Sequence, residues 1–161
     1  MHKEEYIYVC NFSDSLSIHV SADPNSFDGR AHDKSRWIGL TFDALDKEAL
    51  FFRALKVFNP AASVGGRIPI ADYHRGKWDE LMAQFDHSIE QATAELPMLR
   101  RFKEEYEDAV FSPDEVGFLR DECLHVCSGT QDEQALTSLG KLIQACDEAL
   151  KEGWGLFFAS N

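Results

Sequence analysis

The sequence predicts an α+β fold: an antiparallel sheet from the N-terminal strands plus a C-terminal strand, with four to five helices packed on it. Three observations predict it. Residues 1–42 hold short aromatic and β-branched runs separated by turn residues, the pattern of strands. Residues 78–152 carry apolar side chains at three- and four-residue intervals, which align on one face of a helix. The closing run Trp154-Gly155-Leu156-Phe157-Phe158-Ala159 has no polar face, as a strand buried on both sides requires. With 161 residues, 44% of them apolar and 12% aromatic, the chain fits a single domain over 1–161 with ample material for a core.

Taken in order, Tyr6-Ile7-Tyr8-Val9-Cys10 and Leu16-Ser17-Ile18-His19-Val20 read as strands, and the turn residues at 11–15 join them as a hairpin. Asp23-Pro24-Asn25 and Asp28-Gly29 mark loops, and 37–42 is a third strand. A helix over 46–58, capped by Asp43 or Asp46, carries Leu50, Phe51, Ala54, Leu55 and Phe58 and stops at Asn59-Pro60. Residues 59–76 form a long loop in which Arg67-Ile68-Pro69-Ile70 can make a short edge strand. Trp78, Leu81, Met82, Phe85 and Ile89 stripe one helix, and Leu99, Phe102, Tyr106 and Ala109 another. Ser112-Pro113-Asp114-Glu115 is a helix start with a capping box, followed by Val116, Leu119, Cys123 and Val126 as the buried stripe. The last helix ends at Gly153, and 153–159 is the terminal strand.

The net charge of −12 is unevenly spread: ten acids meet ten bases through residue 78, and eighteen acids meet six bases after it. An acidic second half disfavours nucleic acid and anionic membrane, whose phosphates need cations. It favours a basic protein partner. The candidate contact residues are Asp79, Glu80, Asp86 and Glu90 on one helix, Glu104, Glu105, Glu107 and Asp108 on the next, and Asp121 and Glu122 on the third. Neither a signal-peptide pattern at the start nor a bilayer-length apolar run occurs, so the cytoplasm is the expected compartment. Cys10, Cys123, Cys127 and Cys146 follow no disulfide framework and read as reduced core residues.

No constellation identifies a reaction. Cys123-x-His125-x-Cys127 has zinc-like residue types, but on a helix the histidine points away from the cysteines and no second ligand pair matches. Glu122-x-x-His125 lacks the second copy that di-iron bundles use. Nucleophile-elbow and phosphate-loop patterns do not occur. The expectation is therefore no catalytic residues, no metal and no cofactor. A second candidate site lies in the long loop, where Arg67, Tyr73, His74, Arg75 and Lys77 could hold an anionic small molecule through charge-assisted hydrogen bonds. That alternative makes the chain an enzyme or a ligand sensor.

In the C-terminal third, Asp114-Glu115-Val116 opens a helix, and Leu139-x-x-Leu142-Ile143-x-x-Cys146-x-x-Ala149 leads into Gly153-Trp154-Gly155-Leu156-Phe157-Phe158. Over residues 112–161 this resembles the ending of bacterial polymorphic-toxin immunity proteins, which are small, acidic α+β proteins. The resemblance implies a non-enzymatic inhibitor that occludes the active site of a basic toxin domain. It transfers no binding residues, because immunity interfaces differ with each toxin.

Overall fold

The computed structural model describes residues 5–8, 15–55, 67–103 and 107–160. Its strands are β1 (Tyr6–Tyr8), β2 (Leu16–Ser21), β3 (Ser35–Phe42), β4 (Arg67–Pro69), β5 (Ala109–Phe111) and β6 (Gly155–Ser160). Its α-helices are α1 (Ala44–Glu48), α2 (Ile70–His74), α3 (Trp78–Ala92), α4 (Pro113–Gly129) and α5 (Glu133–Glu152). The fold is α+β.

A four-stranded antiparallel sheet in the order β3-β2-β6-β5 forms the centre. Alternation decides what each face buries. Leu16, Ile18 and Val20 point to the helix side with at most 1% exposure, opposite Leu156 and Phe158 of β6. Against them pack Val116, Leu119 and Cys123 of α4 and Leu139, Leu142 and Cys146 of α5, all buried. Phe102, Phe111 and Phe158 meet at ring separations of 4.8–5.7 Å, within the range of favourable aromatic contacts. On the opposite face, His19 lies across from Phe157, and Phe27 covers both at 5.2 and 4.9 Å. Burial there lowers the His19 pKa, because a charged imidazole loses its hydration.

Several expectations change. The 6–10/16–20 hairpin does not form: β2 has β3 on one edge and β6 on the other, and β1 pairs with β4 in a separate two-stranded sheet. The third strand begins at Ser35 and bulges between its Trp37 and Thr41 pairings, where Gly39 adopts φ 79°. A β-carbon disfavours that conformation.

The helix expected over 46–58 starts at Ala44, capped by Asp43, and continues from Ala49 as a π-helical turn to Ala54. Its closing bond runs from the Leu55 N–H to the Leu50 carbonyl. Phe58, Asn59 and Pro60 lie outside the described residues. Of the loop expected over 59–76, the described part is β4 followed by α2.

The apolar stripe from Leu99 to Ala109 is not one helix. Leu99–Lys103 forms a 3-10 turn, and Ala109–Phe111 is the edge strand beside β6. Ala109 and Phe111 are buried while Val110 is half-buried, a two-residue alternation that a strand requires. Glu107 and Asp108 therefore precede a strand, and Glu104, Glu105 and Tyr106 lie outside the described residues.

The predicted capping box forms: Glu115 accepts the Ser112 N–H at 3.0 Å at the start of α4. Gly153 closes α5 at φ 70°, the left-handed conformation of a helix end. No helix among the described residues is long and apolar enough to cross a membrane.

Candidate functional site

Cys123 and Cys146 are buried core residues, and Cys127 is half-buried. Burial pushes the Cys123 thiol pKa far up and that of Cys146 up to about 12, so neither offers a thiolate. His125 is exposed. Among the described residues no group of three or more metal-ligating side chains converges. Cys10 lies outside them.

The basic loop residues spread over β4, α2 and the following turn. Tyr73 packs on Trp78 at 5.7 Å between ring centres, His74 and Lys77 are exposed, and Arg75 pairs with Asp72 at 3.3 Å. The Arg67 backbone belongs to β4. The grooves described below involve none of the five.

The acidic residues divide into two groups. Glu90 lies between Arg100 and Lys103, at 3.6 and 3.7 Å. Glu122 accepts the backbone N–H groups of Met98 and Leu99 at 3.0–3.1 Å, which caps the 3-10 turn. Asp108 accepts the Ser160 N–H at 2.7 Å. These three carry structural duties. Asp79, Glu80, Asp86, Glu107 and Asp121 are exposed. Among the described residues, none of those five has an ion-pairing cation within 4.0 Å.

A buried network escaped the sequence reading. Asp46 is fully buried, accepts Ser138 Oγ at 2.5 Å and the Asp43 N–H at 2.9 Å, and pairs with Lys141 at 2.9 Å. Burial alone would raise its pKa, but the hydrogen bonds from Lys141 and Ser138 hold it below the ordinary value. Lys141 also donates to the Thr41 carbonyl at 3.2 Å. Every oxygen of Asp46 is thus engaged in tying α1 to α5, a fastening role. Only its capping position was legible beforehand.

Two concavities meet beside α4. One, of about 370 Å³, is lined by Ala92, Leu96 and His125 together with the carboxylates of Glu95, Asp121 and Glu122. The other, of about 280 Å³, shares those first three residues and continues to Leu55, Val126 and Ser128. They form one furrow of mixed polarity, with Leu55, Ala92 and Leu96 along it and acidic side chains at one end. No known protein family, curated protein or solved structure matches the chain. The furrow and the acidic helix surfaces present carboxylates and apolar side chains together with His125 and Ser128.

Proposed function

We propose that this chain is a non-enzymatic interaction protein, an immunity protein of the polymorphic-toxin type, that binds a basic toxin domain through its acidic helical face. One observation carries the reading: Asp79, Glu80, Asp86 and Asp121 stand exposed without an ion-pairing partner among the described residues, on a chain of net charge −12. Unpaired carboxylates of one sign raise the local concentration of a cationic partner and speed encounter, by roughly 10- to 1,000-fold in steered complexes. A bound toxin cation would relieve their mutual repulsion. The inhibitory role adds the resemblance of residues 112–161 to immunity proteins, since an inhibitor needs only to cover a site.

The test is association with the protein encoded beside this chain, measured at low and high salt. The triple variant Asp79→Lys, Glu80→Lys, Asp86→Lys is expected to slow association at least tenfold. The matched triple Asp23→Lys, Asp28→Lys, Asp33→Lys, also at exposed positions, is expected to change it far less. Equal effects of the two, or association indifferent to salt, would remove the reading.

A further inference from the structure

We infer that the furrow between the end of α3 and the last two turns of α4 is the docking groove for a basic amphipathic helix of the partner. The inference rests on the basic-partner reading above and names where the contact occurs and what shape the partner brings.

Four features argue it. The furrow is continuous, because its two halves share Ala92, Leu96 and His125. Its length along α4, from Asp121 to Gly129, is about 12 Å at the rise of an α-helix, room for about two turns of a docked helix. Leu55, Ala92 and Leu96 on its floor are partly buried against the core, so the floor offers apolar side chains fixed from beneath, with polar surface beside them. Charge decides the rest.

Glu95, Asp121 and Glu122 close one end. Glu122 is committed to two backbone N–H groups, whereas Glu95 and Asp121 are exposed and project without an ion pair among the described residues. At the other end, α4 finishes at Ser128 and Gly129 with no basic residue in its last turn. The last turn of α3, which delivers Ala92 to the middle, holds none either. The negative ends of two helix dipoles thus reach the same furrow without a cation from their own last turns. A helix with one apolar stripe and flanking Lys or Arg would seat the stripe on the floor and its cations at the carboxylates and the terminal carbonyls. A second copy of this chain fits poorly, because its own net charge of −12 would bring like charge against like.

The experiment titrates the full chain with an 18-residue Leu/Lys peptide designed as an amphipathic helix. Its scrambled isomer and a Leu/Glu counterpart serve as comparisons, and amide chemical shifts are recorded. Tight binding of the amphipathic peptide is expected, with shifts at Ala92, Leu96 and His125. The pair Glu95→Lys and Asp121→Lys is expected to weaken it at least tenfold, and the pair Asp23→Lys and Asp33→Lys, away from the acidic helices, less than threefold. All four positions are exposed, and unchanged circular dichroism would establish that each variant is folded. Equal binding of the scrambled isomer, or equal loss in the two paired variants, overturns the groove while leaving the basic-partner reading intact. Sedimentation showing a dimer of this chain through the same residues also overturns it. If the Leu/Glu peptide binds as well as the Leu/Lys peptide, both fall.

Discussion

Glu115 shows how much one side chain can connect. Its carboxylate completes the capping box of α4 by accepting the Ser112 N–H, and it also receives the fork of Arg101. Arg101 in turn donates to the Val110 carbonyl at 2.6 Å and lies 5.0 Å from the centre of the Phe111 ring. A helix start, a 3-10 turn and an edge strand are therefore held by one ion pair. The Arg101 hydrogen bond is the main cause that lowers the Glu115 pKa to about 2. A carboxyl whose folded pKa is depressed stabilises the fold above its ordinary pKa of 4.5 and loses that contribution as pH falls toward about 2. The pair is about a third exposed, 34% and 30%, so water screens much of the effect. Glu115→Gln is expected to cost about 1 kcal/mol at pH 7. Urea melts of both proteins at pH 7 and near pH 2 check it; a gap that stays the same at both pH values would contradict the account.

The elements differ in how far the sequence revealed them. Both terminal helices were legible, because Ser112-Pro113 and Gly153 punctuate long stripes of period 3.6. The closing strand was legible from its run of apolar residues without a polar face. The stripe from Leu99 to Ala109 was not, since its spacing fits a helix while Ala109 and Phe111 serve an edge strand that only β6 could recruit. The π-helical turn was equally hidden, because Ala49-Leu50-Phe51-Phe52 is buried on every side and apolar periodicity vanishes there. Of the candidate contact residues, the charge distribution nominated Asp121 and Glu122, which line the furrow, but its other side is brought by the fold: Ala92 from the end of α3, and Glu95 and Leu96 from the turn after it. The alternating face of β6 leads to a prediction at this scale. A β-carbon on Gly155 would lie 2.6 Å from Pro24 Cγ and inside contact distance of the Phe111 carbonyl oxygen. The Phe111 carbonyl cannot yield cheaply, since β5 is hydrogen-bonded to β6. Gly155→Ala is expected to cost about 1–3 kcal/mol, as overpacking does, whereas Gly140→Ala, with open space around it, is expected to be neutral or slightly stabilising. Thermal melts of the two variants would decide, and a stable Gly155→Ala would show that the 22–34 loop can shift.

At the scale of the whole molecule, two electrostatic effects compete. Ion pairs such as Arg36–Glu148 at 2.7 Å and Arg120–Asp147 at 2.7 Å hold surface elements together, though water screens each exposed pair of this kind strongly. Against them stands the repulsion of a net charge of −12, part of it on exposed carboxylates without an ion-pairing partner among the described residues. Screening acts on both, but unequally. A charge pair in contact lies well inside the Debye length of about 10 Å at 0.1 M salt, whereas repulsion summed across helices acts over longer separations and is screened first. Raising salt from about 0.02 M to 0.2 M should therefore stabilise the fold, by about 2–4 °C if the relief reaches ~1 kcal/mol. The triple variant Asp79→Lys, Glu80→Lys, Asp86→Lys halves the net charge and should melt higher than the parent at low salt, with a flatter salt response. A parent protein that melts lower as salt rises would mean that contact pairs outweigh the collective field. The acidic face would then lack the unrelieved repulsion that a cationic partner is proposed to relieve.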